Sequence, residues 1–515
     1  MLNGRSSAAG AGGFQLYLPA LLSGGALIVC FPIFDFYPVA FVALAPFIVS
    51  LYDMRPGAAF KAGLFMGLPY FFGTQYWIYH SIHHYGGMAL VPSLAVVLLL
   101  AFYESLYTAF FGLFLSMKLR STQLPALFLA PVLWVVAELV RSYLFTGFPW
   151  SSLGYSQYRF LPLIQIADIT GVYGVSFLVV AVNGALADFF IAKKRRRQMP
   201  LFNLSYTLAG LALLLAAVAG TFGYGLYRLG EVRPGETFRA SVVQGNIRQD
   251  IKWDPAYQRE VLDTYTRLTD SAMYRKPSLV LWPETAAPFY FGADAARTGE
   301  LRAFQKALGV HLLLGSVTVR GEGLLANSVI LLDPSGETSY TYDKIHLVPF
   351  GEYIPLGRVL FFLDKMVAGI GDYVPGKEHL KAETPMGSFA TLVCYEIIFP
   401  GLVRKFYKDG GDFMATITND AWFGDTAGPY QHFSMAALRA VENRKPVIRA
   451  ANTGVSGFID SSGRIVSTTP IFVRAVLTED VRTDRTLSFY SRFGDLFAYL
   501  CIIVTVLMCF NLKRR

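Results

Sequence analysis

Apolar residues follow two regimes along this chain. Up to residue 228 they come in long, nearly unbroken runs; from 229 to about 490 they come in short runs between polar and amphipathic stretches. A helix needs about 20 apolar residues to cross a bilayer. Runs near 14–34, 36–52, 60–80, 88–117, 124–146, 171–192 and 204–228 meet or approach that length, and an eighth, 493–512, closes the sequence. The pattern predicts a polytopic α-helical membrane domain of about eight spans, interrupted by one external domain. The expected boundaries are 1–228 for spans one to seven, 229–492 for the external domain, and 493–515 for span eight and its tail. Only Arg5 precedes the first run, and further spans follow at once. That predicts a retained first helix, not a cleaved signal peptide.

Within 229–492 the rhythm changes to strand-length segments. Ala240–Gln244, Ser278–Trp282, Val310–Gly315, Ser328–Leu332, Phe389–Tyr395 and Phe413–Thr418 read as strands. Pro255–Tyr274, Ala295–Leu308 and His432–Asn443 read as helices. Strands alternating with helices predict a layered α/β domain around a buried sheet. Such a length can bury a core of its own.

Composition supports the division. Of 515 residues 54% are hydrophobic, 15% aromatic and only 16% charged, against roughly 25% charged in an ordinary soluble domain. That excludes a disordered chain. The net charge of +9 at first suggests an acidic partner, but its distribution decides otherwise. Residues 229–490 carry 28 Lys and Arg against 29 Asp and Glu, while the remainder holds 17 against 7. The excess lies in alternate loops: Arg55 and Lys61, Lys118 and Arg120, Lys193 to Arg197, and Lys513 to Arg515. Basic residues stay on the cytoplasmic side. Both termini are therefore expected in the cytoplasm and 229–492 outside, which in a Gram-negative cell is the periplasm. No nucleic-acid partner is implied.

A few polar residues fall within the apolar runs. Glu138 and Arg141, three residues apart on one helix face, can pair; Glu104 and Asp188 have no evident local partner. Such residues mark either a transport path or structural pairing inside a bundle. His80, His83 and His84 end the third run, a spacing that zinc can use, but no cysteine or carboxylate nearby completes a site. An interfacial polar patch is expected, with Tyr76, Trp77, Tyr79 and Tyr85 as an aromatic belt at the membrane surface.

Three segments place chemistry at strand ends, where α/β folds carry their sites. Glu284 follows an apolar strand in Leu281-Trp282-Pro283-Glu284. Lys344 lies in Tyr342-Asp343-Lys344, eight residues before Glu352. Cys394 ends a strand in Val393-Cys394-Tyr395-Glu396. Of the four cysteines (Cys30, Cys394, Cys501 and Cys509) only Cys394 lies in the external domain, so no internal disulfide can form there. A lone cysteine is either inert and buried or a nucleophile. A carboxylate to take its proton and a lysine to stabilise the resulting charge make it usable.

The Trp-Pro-Glu, Tyr-Asp-Lys and Cys-Tyr-Glu motifs resemble the Glu-Lys-Cys set of the nitrilase superfamily. With the membrane frame around them, the chain resembles the apolipoprotein N-acyltransferase family. Val243–Ile247 with Lys252-Trp253, Val348–Pro355, Thr418–Gly424 and Arg449–Gly454 fit the same pattern. The resemblance covers essentially the whole chain, and it implies an α-β-β-α sandwich for the external domain. It also implies acyl transfer from a phospholipid (sn-1 of phosphatidylethanolamine) to the N-terminal α-amine of a diacylglyceryl cysteine on an apolipoprotein.

The roles implied are Cys394 as nucleophile, Glu284 as general base and Lys344 as oxyanion stabiliser. Glu352, Tyr395 and Glu396 are expected to support them. Trp253 and Asn327 are expected at the substrate or gate. Phe361 and Phe362, in an apolar run after Glu352, and Pro288–Phe291 are expected to face the bilayer as a lid or portal, with core packing as the competing reading. No cofactor or metal is implied, and a monomer suffices. The rivals are a membrane-tethered amidase or nitrile hydrolase using the same three residues with water, and a transporter with an inactive external domain. Seven preceding spans argue against a mere tether, and the intact trio argues against the transporter.

Overall fold

Small residues set how the N-terminal helices meet. Gly63 and Gly67, on the helix Pro56–Gln75, lie where an added Cβ would come within 2.2 Å of the Thr108 carbonyl oxygen and 2.3 Å of the Thr108 hydroxyl. Gly112 meets the Ala59 carbonyl in the same way. The result is a close crossing between Pro56–Gln75 and Leu90–Ser121, tied by a Thr108 hydroxyl that donates to Gly63 at 2.9 Å. Small residues at the crossing let the two backbones approach this closely.

A computed structural model of the chain describes residues 14–122, 124–195, 204–232, 235–321, 323–353 and 373–510. Among these, four helices are long and apolar enough to cross a membrane: Leu90–Ser121, Ala126–Thr146, Val172–Ala192 and Leu208–Gly230. Shorter apolar helices occupy Gln15–Ile28, Tyr37–Leu51, Leu161–Thr170 and Leu496–Met508. The second expected span is broken into Tyr37–Val39, Ala40–Ala43 and Ala45–Leu51. Pro38 and Pro46 remove backbone donors there.

The polar residues in the bundle are paired, but not as sequence spacing suggests. Arg141 does not take Glu138. Its Nη1 meets Glu104 Oε1 at 2.8 Å, and Nη2 donates to Ser152 at 3.1 Å. Glu138 instead accepts from Trp134 Nε1 at 2.9 Å and the Leu153 N–H at 2.7 Å. Asp188 caps the helix starting at Ala126, accepting from the Ala126 and Leu127 N–H groups at 2.8 and 2.9 Å, and it also takes the Tyr52 hydroxyl. A helix start leaves its first donors free, and a buried carboxylate satisfies them. These contacts favour structural pairing over a transport path.

The external domain is built on two sheets. The strands are β1 (Thr237–Gln244), β2 (Leu279–Leu281), β3 (Ala287–Tyr290), β4 (His311–Arg320), β5 (Leu324–Leu332), β6 (Thr338–Asp343), β7 (Ala382–Thr384), β8 (Gly387–Val393), β9 (Phe413–Thr418), β10 (Val447–Ala451), β11 (Gly457–Ile459), β12 (Ile465–Thr468) and β13 (Ala475–Arg482). One sheet runs β13-β1-β2-β4-β5-β6, with β3 also on β4; the other runs β12-β11-β10-β9-β8-β7. Their central neighbours β1/β2, β2/β4, β8/β9 and β9/β10 are parallel. The sheets meet face to face through Phe238, Phe389 and Phe413, with ring centroids 4.5 and 4.9 Å apart.

Helices Gln258–Met273 and Ala295–Leu308 cover the first sheet through Val261, Tyr265 and Leu301. The second of these starts on an Asp294 cap, which accepts the Arg297 N–H, and ends at Gly309. Helices Pro400–Tyr407 and Gly428–Asn443 cover the other sheet. This is an α-β-β-α sandwich.

Helix Gly428–Asn443 is also the joint with the membrane helices. Apart from Tyr430, every residue in it is buried. Gln431 accepts from Trp77 Nε1 at 3.2 Å and Trp150 Nε1 at 2.7 Å. Arg439 donates to the Tyr155 hydroxyl at 2.8 Å, Glu442 accepts the Val172 N–H at 2.9 Å, and Arg444 just beyond binds Asp168 at 2.6 Å. Trp77, expected in an interfacial belt, is therefore 4% exposed and part of this joint. The His80 and His84 rings lie 4.2 Å apart, tilted by 39°, and His80 packs on Gly424. Among the described residues no group of three His, Cys, Asp or Glu is placed to hold a metal ion.

Candidate active site

Each proposed reacting group sits just past the C-terminal end of a strand. Cys394 follows β8 and opens the short helix Cys394–Ile398. Its φ is +51°, a left-handed conformation that is strained for a residue with a side chain. Glu284 follows β2 after Trp282-Pro283, and the next residue, Thr285, has φ +48°. That turn lies against Gly315 of β4, where a Cβ would come 2.5 Å from the Thr285 nitrogen and 2.7 Å from the Glu284 Cα. Lys344 follows β6, its N–H bonded to the Asn327 carbonyl of β5 at 2.9 Å.

These segments bring the side chains into one buried cluster. Glu284 is 6% exposed, Cys394 8%, and Lys344 is wholly buried. Lys344 Nζ lies 3.0 Å from Glu352 and 3.6 Å from Glu284. Asn327 Nδ2 donates to Glu284 at 2.7 Å and to Glu352 at 3.0 Å, so one amide bridges both carboxylates. Glu284 also accepts the Asn419 N–H at 2.9 Å, and Glu352 the Val348 N–H at 2.8 Å.

Glu396 lies beneath this cluster. It accepts from the Tyr342 hydroxyl, the Ile345 and His346 N–H groups, and the Val393 N–H. It thereby staples the lysine-bearing segment to the strand that delivers Cys394. Tyr395 lies 6.4 Å from Phe148, in the loop after the helix Ala126–Tyr143, and 4.9 Å from Phe399, centroid to centroid.

The charges differ sharply in character. Burial pushes the Cys394 thiol far above its ordinary range; Glu284 adds to that, and Lys344 opposes it. Burial works against the Lys344 ammonium, but Glu352 and Glu284 more than compensate and hold it well above the usual lysine value. Lys344 is thus a fixed cation. Cys394 rests as a neutral thiol, so its ionisation must accompany proton transfer to a base.

Three nearby residues escaped the sequence reading as site members. Lys252 is completely buried, and its Nζ donates to the Glu284 carbonyl at 2.9 Å. Asn419 positions Glu284 as described. His432 Nε2 lies 3.1 Å from the Cys394 carbonyl oxygen, where only an N–H makes a bond. Trp253 is half-buried, its ring centroid 6.3 Å from that of Tyr290. The Pro288–Phe291 lid is corrected: Phe289 is 3% exposed and Phe291 is also buried, because this segment forms β3, and only Tyr290 is open, at 45%. Phe361 and Phe362 lie outside the described residues.

Residues 23–185 match the apolipoprotein N-acyltransferase N-terminal domain, and residues 239–489 match the carbon-nitrogen hydrolase family. An apolipoprotein N-acyltransferase from Geobacter metallireducens is 42% identical over 94% of this chain and 93% of its own length. The chain belongs to the apolipoprotein N-acyltransferase family. Other members, from Pasteurella multocida and Haemophilus influenzae, are 34% and 33% identical, each over 96% of this chain and 94% of the relative. A solved amidase from Nesterenkonia sp. is 21% identical and aligns with 53% of this chain and 99% of its own, with a TM-score of 0.40.

Proposed function

We propose that this family member moves an acyl chain from the sn-1 position of a phospholipid, phosphatidylethanolamine, to the N-terminal α-amine of a diacylglyceryl cysteine on apolipoproteins. In the first half-reaction Glu284 takes the Cys394 proton as sulfur attacks the ester carbonyl. Lys344 faces the oxyanion of the tetrahedral intermediate. The glycerol oxygen leaves with the proton from Glu284, giving a lysophospholipid and a Cys394 thioester. In the second, the α-amine attacks the thioester and its proton passes through Glu284 to the departing sulfur. An amide and the free thiol result.

The observation that carries this reading is one ammonium, two carboxylates and a strained cysteine in one buried cluster, with Tyr395 beside Cys394 facing Phe148 of the N-terminal half. Asn327 and Glu352 hold Glu284 and Lys344, Glu396 holds the lysine segment, and Trp253, Phe361 and Phe362 touch substrate. The framework proposed with it has eight spans: 1–228 holds seven, 229–492 is the periplasmic catalytic domain, and 493–515 holds the last span. Both termini lie in the cytoplasm of an inner-membrane monomer.

The test is mass spectrometry of the Cys394 peptide after incubation with phosphatidylethanolamine. An acyl adduct is expected, lost in Cys394→Ala and discharged by a diacylglyceryl peptide. Absence of the adduct would sink the mechanism. Discharge by water as fast as by the peptide would favour an amidase-like hydrolase instead.

A further inference from the structure

In formal charge, the cluster already described is unbalanced. Glu284 and Glu352 contribute two negative charges and Lys344 one positive, before the thiol gives up its proton. Passing the Cys394 proton to Glu284 keeps one uncompensated negative charge in the buried site and places it on sulfur, and buried charge without a partner is costly. Lys252 is the remaining lysine at this centre. It is wholly buried, its Nζ is 2.9 Å from the Glu284 carbonyl, and its charge interacts with both the Glu284 carboxylate and the Cys394 sulfur.

We propose that Lys252 is a positioning residue that holds the Glu284 backbone and supplies the second positive charge Cys394 needs in order to ionise. The inference rests on Cys394 being the nucleophile. Other charged groups do not fill this part. Asp420 also acts on Cys394, but with the wrong sign, and it is bound to Arg449 at 2.9 Å and His432 at 2.9 Å. Tyr395 is neutral, its hydroxyl pushed far up by burial. Burial also pushes Lys252 down, to about 8, against the pull of Glu284 and Cys394. Its help is therefore available at neutral pH and fades above it.

That fading gives a test independent of any lipid. The full-length protein in detergent is alkylated with iodoacetamide from pH 6 to 10, and the Cys394 peptide is followed by mass spectrometry. Lys252→Met should slow alkylation at pH 7 by about tenfold, equivalent to one pK unit on the thiol. The gap from wild type should close above pH about 8, where wild-type Lys252 has itself lost its proton. Lys252→Arg keeps its proton throughout; it should match wild type at pH 7 and overtake it at pH 9. A Lys252→Met defect constant across pH, or none in a folded variant, would overturn the proposal. If Lys252→Met does not fold, Lys252→Arg decides, and a wild-type pH curve in that variant would also overturn it. A Lys252 effect without any acyl adduct would instead sink the acyl-transfer reading alone.

Discussion

Replacing Glu396 by Gln should slow thioester formation on Cys394 by about a hundredfold or more while leaving the chain folded. The wild-type carboxylate takes Tyr342 Oη and the Ile345 N–H at 2.7 Å each, the His346 N–H at 3.1 Å and the Val393 N–H at 2.8 Å. Hydrogen bonds to a charged group contribute about 1.5–3 kcal/mol, against about 0.5–1.5 for neutral ones. A glutamine oxygen keeps the first three at a loss of about 1 kcal/mol each. Its NH2 then faces the Val393 N–H, donor against donor, at about 1–3 kcal/mol more.

The sum, about 4–6 kcal/mol, sits in the segment that carries Lys344 and the strand that carries Cys394. If half of it falls on their alignment in the transition state, the rate drops about a hundredfold, at 1.4 kcal/mol per factor of ten. The assay is the time course of the Cys394 acyl adduct with phosphatidylethanolamine, beside a thermal unfolding curve. A Glu396→Gln protein that acylates within threefold of wild type would refute the role given to this staple.

Asn327→Leu removes the donor that bridges Glu284 and Glu352, and should reduce acyl-adduct formation by at least a hundredfold; adduct formation near the wild-type rate would show the bridge is dispensable. Phe289→Asp places a carboxylate in a 3% exposed position of β3 and should destabilise the fold by more than about 3 kcal/mol. A normal melting temperature with loss of lipid use alone would restore the portal reading. Burial raises the Asp420 carboxyl, but Arg449 and then His432 outweigh it and hold it at about 2, below its ordinary 3.8. Its folded value is the lower one, so its contribution is complete above pH 3.8 and is lost as pH falls toward 2. Wild type should therefore lose about 2 kcal/mol more stability than Asp420→Asn between pH 5 and 2; parallel curves for the two proteins would contradict this.

What could be read from sequence had a local signal. Cys394 and Glu284 each follow a β-rich run, found as β8 and β2, whereas the strand before Lys344, β6, reads Thr-Ser-Tyr-Thr-Tyr-Asp and lies outside the predicted segments. Strands β3, β6, β7 and β10 to β13 fall outside the segments the pattern predicts. β12 alternates half-buried and exposed residues with little apolar content, and β13 reads Ala-Val-Leu-Thr-Glu-Asp-Val-Arg, hardly a buried strand by pattern. Lys252 falls within the Lys252-Trp253 stretch that fits the family pattern, but nothing near it in sequence announces its burial. Arg141 was given to Glu138, three residues away, because its actual partner Glu104 is 37 residues off on another helix. Phe289 lies in an apolar cluster that fits a lid as well as a core strand; only its place in β3, paired with β4, separates them.

The line drawn at residue 228 divides the chain by composition but not by cooperativity. Gln431, Arg439, Glu442 and Arg444 lie buried, with partners on the membrane side of that line. Severed there, the external half would strand a guanidinium opposite nothing where Asp168 now stands, a loss no detergent replaces. Heat should therefore take both halves through a single transition.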